Sequence, residues 1–192
     1  KLINLGYDSG AIDHKVLTSN INFISILEIY DSSSISDFTG IQDFVALSLL
    51  TIYNSKATTI NFSVLPNLIG LACTDNKQLT SIDISGLSAL EGLTCTNNNL
   101  TNLNLSGLTA LKNVVCNENL FSNIKLSGLP SLETFQCVNN KIKLTSVELS
   151  DLPVLWALEC MNNQLTNIVF SEVPALKFLY CNKKAQGRRP AQ

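Results

Sequence analysis

Six cysteines, one histidine and a scatter of carboxylates are the residues of this chain with reactive side chains. The cysteines stand at 73, 95, 116, 137, 160 and 181, so the gaps are 22, 21, 21, 23 and 21 residues. An even count invites a disulfide framework or a metal site. The surroundings argue for neither. There is no C-x-x-C pair, and His14 stands alone and distant, which is a poor start for zinc. Each cysteine sits between large aliphatics at one position of a repeating pattern, and Ile29 and Ile52 fill the same position earlier on. That slot takes a small to medium apolar group, a role free cysteine fills well. Neighbours on parallel strands also point their side chains the same way, a poor geometry for a bridge. Cys73, Cys95, Cys116, Cys137, Cys160 and Cys181 are therefore expected as reduced core residues, with no metal and no cofactor.

The other chemistry thins out quickly. His14 lies far from the cysteines, so a Cys-His dyad is not expected, and there is no phosphate loop or G-x-S-x-G. Asp8 to Asp13 hints at a calcium loop but lacks the further carboxylates, and reads as a turn. Asp31, Asp75 and Glu118, interleaved with Asn54, Asn97 and Asn139, form a row that reads as a solvated polar rim. Asn61, Asn99 and Asn104 match N-x-[ST], a pattern the repeat generates by itself. Hydrophobic residues make up 45% and charged residues 15% of 192, which excludes a disordered chain. A net charge of −2 offers nothing to nucleic acid or an anionic membrane. The near-continuous apolar run Val45–Ile52 is far short of the roughly 20 residues that span a bilayer. Neither catalysis nor membrane insertion is expected.

The cysteine period is the mark of a solenoid. One coil reads Leu90-Glu-Gly-Leu93-Thr-Cys95-Thr-Asn-Asn98-Asn-Leu100, and continues through Leu103, Leu105 and Leu108. The pattern L-x-x-L-x-C-x-x-N-x-L resembles the leucine-rich repeat. Alternation in Leu93-Thr-Cys95 predicts a short strand with Leu93 and Cys95 inward. Stacked coils then give one parallel sheet on the concave face, with short extended or strand segments on the convex side. About eight coils are expected over 23–182, the last incomplete. Asn76, Asn98, Asn119, Asn140 and Asn163 share the position just after the strand. There an inward amide can satisfy turn groups of neighbouring coils, so they are read as a structural ladder. Ser32, Ser55 and Lys184 replace asparagine at the ends, where the ladder should weaken. Residues 1–22 break the pattern and read as an N-terminal cap. Residues 183–192, with Lys183, Lys184, Arg188 and Arg189, read as a disordered tail or expression remnant.

Leu5-Gly-Tyr-Asp8, Val16-Leu-Thr-Ser-Asn-Ile21 and Ile35-Ser-Asp-Phe-Thr-Gly-Ile41-Gln-Asp-Phe44 precede repeats ending in Leu-Thr-x-Leu-x-Leu-Ser. Over about residues 1–182 this is similar to the cysteine-containing leucine-rich repeat proteins secreted by Bacteroidetes. The resemblance implies secretion or surface attachment. Such proteins usually end in a sorting domain for type IX secretion; none follows here, and the chain opens on Lys1, so a fragment or processed form is expected.

Function then falls to the outward strand positions. Tyr30, Tyr53, Thr74, Thr96, Asn117, Val138 and Met161 form one column, and Phe178 and Tyr180 end two others. These are the candidate ligand-binding residues, since tyrosine buries contact area at low entropy cost. The aromatic ends also fit plain packing, against the cap at one end and against a missing coil at the other. The leading reading is a binding or adhesion module for a protein or polysaccharide, monomeric or associating end to end through its open last coil. The alternatives are a structural spacer or adhesin stalk and, third, an ice or crystal-surface binder using the Thr58, Thr80, Thr101, Ser122, Thr145 and Thr166 row.

Overall fold

The computed structural model describes residues 21–30, 32–140 and 144–181. Residues 1–20 of the expected cap, His14 among them, and the expected tail lie outside these residues, as do Asp31 and Lys141–Lys143.

Among the described residues thirteen strands follow one another with almost no helix, apart from a 3-10 turn at Ile41–Asp43. Eight of them form one parallel sheet, in the order β1 (Ile26–Ile29), β2 (Leu49–Tyr53), β4 (Gly70–Thr74), β6 (Gly92–Thr94), β7 (Asn113–Val115), β9 (Thr134–Gln136), β11 (Ala157–Glu159) and β13 (Phe178–Tyr180). The first inward residues of the strands stack in register, Leu71 on Leu93, then Val114, then Phe135. Alternation gives each strand two faces: Leu71 and Cys73 of β4 are buried, and Gly70, Ala72 and Thr74 are half-exposed. Inside, leucine, isoleucine and cysteine columns make one continuous core, with Phe62, Phe121 and Phe135 as its largest fully buried side chains. This is a leucine-rich repeat solenoid.

The opposite side carries two smaller parallel sheets. One pairs β3 (Thr59–Asn61) with β5 (Ser81–Asp83), and the other joins β8 (Asn123–Ser127), β10 (Ser146–Ser150) and β12 (Asn167–Ser171). They are separated by the coil that carries Leu103. The residue chemistry explains the gap. Every strand-forming coil puts a β-branched residue at the inward position: Ile60, Ile82, Ile124, Val147 or Ile168. The gap has Leu103 there, between Asn102 and Asn104, and asparagine is depleted in strands.

Each full coil reverses twice, and left-handed backbone serves both turns in most of them. After the sheet strand come Asn54, Asp75, Asn97, Glu118, Asn139 and Asn162, with φ between 56° and 59°. At the far-side turn come Gly86, Gly107, Gly128, Asp151 and Glu172, also at positive φ. The row expected as a solvated rim is thus a turn row. Each of Asn54, Asp75, Asn97, Glu118 and Asn139 donates its backbone N–H to the next coil, for example Glu118 to the Val138 carbonyl at 2.9 Å. The Cβ of any L-residue crowds the carbonyl in this conformation, and asparagine and aspartate offset part of that cost through local hydrogen bonds of their short side chains, which the longer glutamate side chain does less well. Glu118→Asn should therefore stabilise the chain by about 0.5–1 kcal/mol in urea melts. The control Glu148→Asn, on β10, should do nothing or slightly destabilise.

Candidate sheet-face binding site

The ladder asparagines come first, because they fix the strand ends that present the outer face. All five are buried. The Asn98 amide donates to the carbonyls of Cys95 in its own coil and Cys73 in the coil before, both at 2.8 Å. Asn163 does the same for Cys160 and Cys137, at 2.9 and 2.8 Å. Asn119 reaches Cys116 and Cys95, and also the Asn117 carbonyl. The amide oxygens accept backbone N–H groups one coil earlier: Ser55 onto Asn76, Asn76 onto Asn98, Leu100 onto Asn119 and Asn140 onto Asn163. The asparagine column therefore ties together the carbonyls of the cysteine column. At the N-terminal end Ser55 occupies the position, and among the described residues its buried hydroxyl finds no hydrogen-bond partner.

The described cysteines are all free thiols. Burial pushes the Cys95 and Cys160 thiols up to about 12, and raises Cys73, Cys116 and Cys137 as well. Cys116 also donates to the Gln136 carbonyl at 3.2 Å. Cys181 differs from the expectation. It is only half-buried, and its thiol is raised by the same cause. It follows β13, the last strand of the sheet, where Leu179 is 36% exposed. The inward Leu27 and Ile29 of β1 are buried. A thiol reagent at pH 8 should therefore label Cys181 and leave the other five untouched until denaturant is added. Rapid labelling of Cys95 or Cys116 in the native state would rule out this packing.

Outward columns run in strict register across the sheet. One runs Ile26, Leu49, Gly70, Gly92, Asn113, Thr134, Ala157, Phe178. The next begins at Glu28 and ends with Gln136, Glu159 and Tyr180. Tyr30 and Tyr53 stand at one end and are 58% and 41% exposed. Thr74, Thr96, Asn117 and Val138 are half-exposed in the middle, and Met161 is exposed beyond them. Phe178 and Tyr180 are exposed at the other end. At about 4.8 Å per strand, Tyr53 and Tyr180 are roughly 30 Å apart along the sheet. The candidate residues thus form a low-charge middle with two separated aromatic ends. Asn117 has a second task, because its side-chain oxygen accepts the Val138 backbone N–H at 2.7 Å.

Trp156 was not among the sequence candidates. It belongs to a further column, just before the strands, which runs Ser25, Ser48, Ile69, Glu91, Lys112, Glu133, Trp156, Lys177. Backbone bonds link each of these residues to the one before it. Lys112 and Glu91 of the column form an ion pair at 2.8 Å. Trp156 is 41% exposed and meets Phe178 edge to face at 5.8 Å, and Phe178 stacks on Tyr180 at 6.2 Å. The usable signal was a lone tryptophan directly after a coil-opening leucine.

The remaining motifs have local uses. Asn61 and Asn104 close short turns by accepting from Ser63 and Ser106, and Asn99 donates to the Lys77 carbonyl. In the threonine row, Thr80, Thr145 and Thr166 donate their hydroxyls to the preceding coil. Among the described residues no group of three or more His, Cys, Asp or Glu converges as a metal site would require, and no helix is long and apolar enough to cross a membrane.

A parallel β solenoid with an interior cysteine column and an in-register outer face defines the class of fold: a leucine-rich repeat solenoid. Solved structures with this fold include two from Listeria monocytogenes. The functional domain of InlJ, described as including a cysteine ladder, superposes with a TM-score of 0.53 at 20% identity, covering 84% of this chain and 47% of that one. The internalin InlF gives 0.51 at 18% identity, covering 93% of this chain and 73% of that one. This chain thus spans about half the length of the InlJ structure. No family model and no curated protein matches the sequence. The Bacteroidetes origin implied by the resemblance receives no support from these Listeria structures.

Proposed function

We propose that the chain is a non-enzymatic binding or adhesion module, which takes a protein or polysaccharide ligand on the outer face of its eight-stranded sheet. The observation that carries this reading is the face itself: in-register columns, low in charge through the middle, with exposed aromatic side chains at both ends. A solenoid offers such an extended, rigid surface, and the fold shared with the internalin structures is consistent with it. The Thr80, Thr145 and Thr166 hydroxyls already serve neighbouring coils, which leaves the ice-binding reading without special support. A secreted or surface-attached location belongs to the same proposal.

The stalk reading, or end-to-end association, draws on the half-exposed Leu176 and Cys181 and the exposed Leu179 at the last coil. A binding screen of the whole chain against immobilised proteins and polysaccharides separates the two. Saturable capture of a defined ligand that is lost when the sheet face is altered supports the module. Capture of nothing, together with concentration-dependent oligomers, supports the spacer.

A further inference from the structure

Six side chains surround the small residue Ala157 on the outer face. Along its own coil it lies between Trp156 and Glu159. Across the sheet Thr134 is its partner on one side and Phe178 on the other, with Gln136 and Tyr180 at the diagonals. The result is an open recess of about 280 Å³ over Ala157. That volume lies just below the range of drug-sized pockets, so it suits a small ligand or one ring of a longer one.

The walls divide by chemistry. Trp156, Phe178 and Tyr180 form a continuous aromatic group with each ring 41–46% exposed. Facing them are a hydroxyl, an amide and a carboxylate. Gln136 donates to Glu159 at 3.4 Å, and the Thr134 hydroxyl donates to Asn113 at 2.8 Å, so these polar groups are held in place by their neighbours. A carboxylate accepts through up to four lone-pair sites and an amide through two. Rings with an apolar body beside fixed acceptors match a ligand with one apolar face and a rim of hydroxyls. A pyranose is such a molecule: its axial C–H face stacks on an aromatic ring while its hydroxyls donate outward. An apolar peptide side chain would leave the Gln136 and Glu159 edge desolvated without a donor, which is costly. A basic peptide would find one carboxylate at the recess, with Lys177 next to Trp156 in the adjoining column.

We propose that the recess over Ala157 is a saccharide site, which seats one sugar ring of a glycan against Trp156 and Phe178 and takes its hydroxyls on Gln136 and Glu159. This rests on reading the sheet face as the binding surface, and it names the ligand class at one end of that face.

Trp156 is the only tryptophan of the chain, so its emission reports on the recess directly. The test titrates the full chain with a panel of neutral and N-acetylated di- to tetrasaccharides, followed by tryptophan fluorescence and by calorimetry. A saturable emission change is expected with at least one sugar class. Affinity should fall at least tenfold, about 1.4 kcal/mol, in Ala157→Leu, which fills the recess, and in Gln136→Ala, which removes a polar wall without adding bulk. Asn102→Arg with Asn123→Arg, exposed on the opposite side of the solenoid, should bind the sugar as the wild type does. Two results overturn the proposal: no saturable change with any sugar up to about 10 mM, a limit already weaker than ordinary recognition, or binding that Ala157→Leu and Gln136→Ala both leave intact. A protein ligand blocked by Thr74→Arg with Thr96→Arg on the middle of the sheet, with no sugar bound, overturns the saccharide site and leaves the sheet-face reading standing.

Discussion

Asn119→Leu should lower the unfolding free energy by about 3 kcal/mol in urea melts, with little change in the denaturant slope. Leucine has as many side-chain heavy atoms as asparagine, branched at the same carbon, so the change tests hydrogen bonding more than the loss of packed atoms. Asn119 is fully buried. Its amide donates to the carbonyls of Cys95, Cys116 and Asn117, and its oxygen accepts the Leu100 N–H at 3.1 Å. Leucine supplies none of these, and each buried group left unpaired costs about 1–3 kcal/mol. Relaxation of the turn recovers part of that sum, so the total stays near the cost of one or two orphaned groups. The exposed Asn102→Leu should stay within about 0.5 kcal/mol. Because each coil touches only its neighbours, the loss should also be shared by the coils of Cys95 and Cys137. Hydrogen exchange would show this as deprotection of both flanking strands. Equal effects of the two substitutions would mean that the asparagine column does not hold the coils.

The contrast between Asn119 and its neighbour Glu118 shows how much of the fold could be read from sequence. The period, the inward cysteines and the asparagine column all follow from one-residue spacing, because a solenoid repeats the same environment every coil. Backbone conformation was harder to see. Glu118 adopts φ 57°, yet its residue type points to solvent or a cation rather than to a left-handed turn. The clue was the shared position of Asn54, Asn97, Asn139 and Asn162, which carries weight only once the residue is recognised as a turn and not as a ligand. The split of the far-side strands turned on Leu103 in place of a β-branched residue, a difference too small to act on without the pairing partner. On the binding face, column positions were legible from alternation. Which side chains meet was not, because Trp156 reaches Phe178 only through the register between β11 and β13. Asn117 looked like a contact residue, and its bond to the Val138 N–H depends on a neighbour about one coil away.

That last bond decides how the binding face is best tested. Replacing Asn117 would remove a turn contact along with any ligand contact, whereas Thr74 and Thr96 lie in the same column, half-exposed, on neighbouring coils. Thr74→Arg with Thr96→Arg should reduce binding of a protein or polysaccharide that spans the middle of the sheet by a hundredfold or more, about 2.7 kcal/mol. Two guanidinium groups at the centre of a low-charge face obstruct the ligand sterically and must be desolvated to be covered. Asn102→Arg with Asn123→Arg on the opposite side should leave binding within about threefold, under 1 kcal/mol, because both side chains are exposed away from the sheet. Both double variants should melt within about 1 kcal/mol of the parent, as changes at exposed positions do. Affinity measured on the folded variants then reads the face and not the fold. Loss in the Asn102 and Asn123 pair alone would move the binding surface to the far side. Loss in neither would favour the spacer, for which the outer face of the sheet is only the exposed half of a parallel ladder.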